Sequence, residues 1–151
     1  MSDQIGIFYH HLLTAAAREK LPLAEIFGRA REMGYTCVQM DADDLGSDPE
    51  ETLAPLRQAG LSVNCIYAIA PRLCERDEDL AADCAAMEHY LALTRAADCA
   101  KLLAVPGSLT AAEQIRDAAP YRAKRERIAR VLDFAVHRGA QLGITVFDRG
   151  F

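Results

Sequence analysis

Short apolar runs alternate with longer amphipathic segments along the whole chain, and three of the amphipathic segments end on glycine. The first run, Ile5 to His10, reads as a strand. Leu23, Ile26, Phe27, Ala30 and Met33 then share one helical face and predict a helix over 22–33. Pro22 suits its first turn, where the N–H that proline lacks would go unbonded anyway. A second strand is expected over 36–42. Asp48 and Pro49 open the next helix as N-cap and first residue, with Glu51 placed to complete a capping box and Leu53 and Leu56 on the buried side. Strand three is expected over 62–68. Leu80, Cys84, Met87, Leu91 and Thr94 step by four, three, four and three, which predicts a helix over 77–97. Strand four covers 101–105, before Pro106 and Gly107. Ile128, Val131, Ala135 and Leu142 carry a helix over 121–142, and strand five follows over 144–148.

Gly34, Gly60 and Gly143 each stand one or two residues before a strand. Short turns of this kind between helix and strand imply parallel strands joined by right-handed crossovers. The strands are rich in Val, Ile, Leu and Cys, as expected when helices cover a parallel sheet. The fold class is therefore α/β, a parallel (β/α) repeat in a single domain over 1–151. Two architectures fit: a doubly wound open sheet, complete at five strands, or part of a (β/α)₈ barrel. Doubly wound nucleotide folds usually place a Gly-rich loop after strand one. Here that segment is His10-His11-Leu12-Leu13-Thr14-Ala15, without glycine, which favours the barrel. Such a barrel typically needs about 250 residues, so the expectation is a partial barrel of about five strands and four helices. Its function would belong to the whole, with this chain truncated.

Composition narrows the function. Apolar residues make up 51% and charged ones 26% of the chain, enough to build a core. The net charge of −5 argues against a nucleic-acid partner, which requires a basic surface. The run Arg122, Lys124, Arg125, Arg127, Arg130 reads as a solvated helix face, with a phosphate patch as the alternative. No segment approaches a membrane span or a signal peptide. Five cysteines without a CxxC pair read as small buried hydrophobes in a reducing cytoplasm.

The segments Ile-Gly-Ile-Phe-Tyr (5–9), Gly-Tyr-Thr-Cys-Val-Gln (34–39), Gly-Leu-Ser-Val-Asn (60–64), Lys-Leu-Leu-Ala-Val-Pro-Gly (101–107) and Ala-Gln-Leu-Gly-Ile-Thr-Val (140–146) resemble, in order and spacing, the xylose isomerase-like TIM-barrel family of sugar phosphate isomerases and epimerases. The likeness runs over the first half of that fold. It implies a sugar or sugar phosphate substrate and a divalent metal (Mn, Mg, Zn or Co) at the C-terminal mouth of the barrel. It also implies proton transfer next to a carbonyl that the metal polarises. The family's strand-five Glu would fall near Arg149. Asp148 is the nearest candidate metal ligand, although alternation sets it on the face of Val146. Ligands implied for later strands have no positions here.

The candidate substrate-binding residues are those expected at the C-terminal strand ends. His10 would close strand one. Gln39 and Asp41 share a face of strand two, where a carboxylate and an amide can bind sugar hydroxyls. Asp41, Asp43 and Asp44 also read as turn chemistry. Tyr67 would end strand three, and Gly107 would let a ligand approach backbone. His11 is expected to point the other way, and His89 and His137 to lie on outer helices. Two further readings are a non-catalytic half-barrel that forms a homo-oligomer through its exposed sheet edges, and a complete small α/β binding domain.

Overall fold

The structure is a computed structural model and describes residues 4–116 and 118–148. Its core begins with strands whose alternate residues are buried against helices: β1 (Gly6–Phe8), β2 (Cys37–Asp41), β3 (Ser62–Ala70), β4 (Lys101–Pro106) and β5 (Thr145–Phe147). They form one parallel sheet in the order β1-β2-β3-β4-β5. Sequential order with crossovers of one hand places every connecting helix on the same face. This is the arc of a partial TIM barrel rather than a doubly wound sheet, which carries helices on both faces.

The helices are α1 (Tyr9–Glu19), α2 (Leu23–Glu32), α3 (Pro49–Gln58), α4 (Leu80–Ala96) and α5 (Ala119–Gln141), with a 3₁₀ turn at Ala42–Leu45. The expected helix starts and stops hold for α2 to α5 to within a few residues. Gly34, Gly60 and Gly143 take positive φ where those helices end. Asp48 caps α3 by accepting from the Glu50 N–H at 3.1 Å.

The first unit departs from expectation. Strand one ends at Phe8, and His10 lies in α1 instead of closing the strand. Tyr9, Leu12 and Leu13 bring apolar side chains to the sheet, and Ala15 and Ala16 let the helix lie close to it. That 3–4 spacing is a helical signature in a segment that reads as a loop when only a Gly-rich turn is sought there.

Two registers organise the sheet. On the helix side, Met40, Ile66, Leu102 and Val146 pair across four strands. Met40, Ile66 and Leu102 are fully buried, each burial contributing about 1.5–3 kcal/mol. On the opposite side, Phe8, Gln39 and Cys65 form one row, and Asp41, Tyr67, Leu103 and Phe147 the next. This second side carries exposed apolar groups, with Phe8 at 46%, Ile69 at 58% and Phe147 at 40% exposure. One core cluster packs α1 to α4 on β1 to β4, and a second packs α4 and α5 on β4. All five cysteines are free, and Cys37, Cys74 and Cys99 are buried. Among the described residues no helix is long and apolar enough to cross a membrane.

The basic run on α5 is not simply a solvated face. Lys124 is buried, and Arg127 reaches back to donate to the Cys74 carbonyl at 2.9 Å. Arg130 pairs with Asp77. A helix that closes over two strand-end loops turns part of its charged face inward, a consequence of loop placement that periodicity does not show.

Candidate functional site

Because the strands are parallel, their C-terminal ends share one edge. At that edge Asp41, the last residue of β2, stands level with Tyr67 of β3. Phe8 ends β1 one row below, level with Gln39, which is half-buried on the open side. The Phe8 ring meets Tyr67 edge-on at 6.3 Å between centroids, and His11 edge-on at 5.7 Å. His10 and His11 lie 6.5 Å apart by ring centroid on the first turn of α1.

Asp41 has two tasks. Its carboxylate accepts from the Asp43 N–H at 3.0 Å, while its own N–H donates to the Asp44 carboxylate at 3.1 Å. This reciprocal pair caps the 3₁₀ turn, the turn chemistry that the Asp-rich sequence suggests. It also holds both carboxylates at the strand end in one geometry. Partial burial raises the Asp41 carboxyl above its ordinary range, the Asp43 N–H opposes this, and the charges of Asp43 and Asp44 add to it. Burial likewise raises Asp44, opposed by the Asp41 N–H and by nearby His10. The Tyr67 phenol is raised first by burial and then by Asp41 and Asp44. Two acids and a phenol that feel one another therefore share this corner, with His10 close enough to act on Asp44.

Sequence reading brought Asp41, Tyr67 and Gln39 to this face. It read Asp44 as turn chemistry and His11 as pointing the other way, and gave Phe8 no role, yet all three border the same corner. The signal for His11 and Phe8 was the overlooked helix at 9–19; for Asp44 it was the reciprocal Asp-x-x-Asp spacing, a capping pattern.

Gly107 follows β4 at φ +81° and is buried. Its N–H donates to the Ala70 carbonyl at 2.7 Å. A Cβ there would lie 2.9 Å from the Leu73 carbonyl and 3.2 Å from Lys124 Cε. What approaches this backbone is protein. The surrounding rim is tied together: Glu113 accepts from the Thr110 N–H at 2.8 Å, a bond that lowers its carboxyl, and Arg127 lies 3.6 Å from Glu113.

Asp148 follows β5 and is exposed. Among the described residues no group of three or more His, Cys, Asp or Glu side chains could hold a metal ion. Asp148 therefore stands in no such group among the described residues, which by themselves do not make up a ligand set for the divalent metal that the resemblance implies. Arg149, where the family's strand-five Glu would fall, lies outside the described residues. His89 and His137 are exposed on α4 and α5.

The fold and this edge define a class: half of a parallel (β/α) barrel with a polar corner at its C-terminal mouth. Solved structures share the half-barrel fold. A sugar phosphate isomerase/epimerase from Parabacteroides distasonis superposes with a TM-score of 0.73 at 12% identity, over 98% of this chain and 51% of that one. An AP endonuclease of family 2 from Brucella melitensis gives 0.66 at 20% identity, over 85% and 50%. D-psicose 3-epimerase with D-tagatose from Clostridium cellulolyticum gives 0.61 at 15% identity, over 95% and 51%. The chain thus resembles in fold the sugar phosphate isomerase/epimerase and xylose isomerase-like barrels, and spans about half the length of these structures. No protein-family model matches the sequence, and no curated protein does.

Proposed function

We propose that this chain is a sugar isomerase/epimerase-like half-barrel whose C-terminal strand edge binds a small sugar, and that by itself it does not turn one over. The observation that carries the reading is the corner formed by Asp41, Tyr67, Phe8 and His10, on a fold shared with sugar-processing barrels. Asp41 has oxygen lone pairs left after its bond to the Asp43 N–H, and these accept from sugar hydroxyls. The Tyr67 phenol donates or accepts one more. The exposed Phe8 ring offers an apolar surface to the C–H face of a pyranose or an open-chain ketose. Three carboxylates near one strand end disfavour a phosphate there, so a neutral polyol end fits this corner better than the phosphorylated end of a sugar phosphate.

Isomerisation in the full-length family rests on proton transfer next to a carbonyl, with a divalent metal polarising that carbonyl. The described residues supply hydroxyl recognition and no metal-ligand set, and this is the ground for expecting binding without turnover.

The test is titration of the purified chain with D-fructose and D-tagatose, followed by NMR, alongside an epimerase assay with added Mn²⁺. Shifts confined to residues near Asp41 and Tyr67, weakened at least tenfold in Asp41→Asn and Tyr67→Phe, support the reading. Ketose turnover at an ordinary enzymatic rate by a monomer would overturn the absence of catalysis. Shifts unaffected by both substitutions would overturn the site.

A DNA-processing reading, which the endonuclease neighbour raises, is disfavoured by the net charge of −5 and by the acidic mouth.

A further inference from the structure

Two loops at the C-terminal ends of neighbouring strands are fastened to each other and to one side chain. The segment 71–79 follows β3, and 107–116 follows β4. Their bases meet directly. The Gly107 N–H donates to the Ala70 carbonyl at 2.7 Å, and the Ser108 hydroxyl donates to the Pro71 carbonyl at 3.3 Å. Farther out, Arg127 of α5 stands between them, with its side chain 14% exposed. Its Nε donates to the Cys74 carbonyl at 2.9 Å. One terminal nitrogen lies 3.9 Å from the Asp77 carboxylate and the other 3.6 Å from the Glu113 carboxylate. Cys74 and Asp77 belong to the first loop and Glu113 to the second.

Cys74 shows what this fastening holds. It is fully buried, and its φ of +62° is left-handed backbone, unfavourable for a residue with a Cβ unless its surroundings impose it. Charged side chains from two helices hold both polar groups of its backbone. Its N–H donates to the Asp83 carboxylate of α4 at 3.0 Å, and its carbonyl accepts from Arg127 of α5. Such charge-assisted bonds are stronger than those between neutral groups, and here they oppose relaxation of the strained residue. In the second loop Glu113 also accepts from the Thr110 N–H at 2.8 Å. The grip of Arg127 on Glu113 therefore extends to the backbone of that loop.

We propose that Arg127 is a latch: the loops after β3 and β4 open and close as one unit, and release of Arg127 frees both. It acts as a positioning residue, through the loops it holds. Openings of this kind involve a few contacts and occur far below the free energy of global unfolding. The first loop continues the strand that carries Tyr67, so the latch bears on the strand edge proposed for the sugar. It is nevertheless read on the unliganded chain and stands or falls separately from that reading.

Labelling of the 151-residue chain with iodoacetamide at pH 8, followed by peptide mass spectrometry, tests it. Cys74 reports the loop, and Cys37, fully buried in β2, reports global unfolding. Arg127→Ala should raise the Cys74 rate by about tenfold or more and leave the Cys37 rate unchanged. Such a rise reports opening, because the Arg127 charge lowers the Cys74 thiol and losing it slows the chemistry itself. Glu113→Gln keeps an acceptor for the Thr110 N–H and removes only the charge facing Arg127. Although it lies in the other loop, it should raise the Cys74 rate by about threefold or more, and this mild variant decides the coupling by itself. Arg127→Lys keeps the charge and loses the planar fork, so it should fall between wild type and Arg127→Ala. An unchanged Cys74 rate in Arg127→Ala would overturn the latch. A Cys37 rate that climbs in step with Cys74 would do the same, since the substitution would then act on the whole fold. Exposure of Cys74 by Arg127→Ala but not by Glu113→Gln would show two independent loops and refute the proposal.

Discussion

Replacing Gly107 by Ala decides whether this residue is glycine for packing or for a ligand. Two costs act on the substitution. The φ of +81° puts an L residue in left-handed backbone, which costs about 1–2 kcal/mol. The new Cβ would also meet the Leu73 carbonyl at 2.9 Å and Lys124 Cε at 3.2 Å. The lysine stem can yield, but the carbonyl belongs to a loop that Arg127 ties to α5 through Cys74. Overpacking of this kind costs about 1–3 kcal/mol. Gly143→Ala is the matched control, because its φ is +73° and no atom lies within 4 Å of the added Cβ. The entropic effect of removing a glycine from the unfolded chain is common to both and cancels in the comparison. Gly107→Ala should therefore be less stable than Gly143→Ala by about 2 kcal/mol. At roughly 2–4 °C per kcal/mol for a domain of this size, that is a Tm lower by about 4–8 °C. Urea melts followed by far-UV circular dichroism, with equal slopes for the two variants, measure the difference. Equal midpoints would refute the packing account. If Gly107→Ala also folded normally but lost sugar affinity, the glycine would be there for a ligand.

Two further predictions concern titrating groups. Asp44 has a carboxyl raised in the folded state, chiefly by burial. The stability that its protonation contributes is fully present below the unfolded carboxylate pKa, about 3.9, and is lost as pH rises through the higher folded value. Asp44→Asn keeps an acceptor for the Asp41 N–H, so it should be more stable than the wild type at pH 7, with the advantage shrinking toward pH 4 in chemical melts; a difference independent of pH contradicts this. The Cys74 thiol is pushed up to about 11 by burial and by Asp83, against Lys124 and Arg127. In the native protein at pH 8 it should resist alkylation while the half-buried Cys84 reacts, as read by peptide mass spectrometry, and equal labelling of the two would show that the loop over Cys74 opens readily.

Much of this molecule was legible before its fold was known. Alternating apolar runs located five strands, because a strand buried on a helical face must repeat every two residues. Amphipathic steps placed α2 to α5, and the glycines before β2, β3 and β5 marked turns in left-handed backbone. The resemblance to sugar isomerase and epimerase barrels came from the same residues, and the structure carries the corresponding half-barrel fold. Candidate residues at the strand ends followed from period-two counting, which put Asp41 and Tyr67 toward the C-terminal ends of their strands, and the register between β2 and β3 sets them level.

Tertiary structure decided what period counting cannot. The helix at 9–19 displaced His10 from a strand end, because Tyr9 and Leu12 gain more by packing on the sheet than by extending it. The same helix brought His11 to Phe8. Lys124 and Arg127 turned inward because two loops far apart in sequence meet over α5. Asp44 joined Asp41 through hydrogen bonds three residues apart, so its spacing was visible while its partner and its burial were not. Local periodicity reports which face of an element is apolar, because that depends on one segment alone. Which polar groups then meet at a strand end depends on register between strands and on loop packing, and those are set only when the sheet assembles.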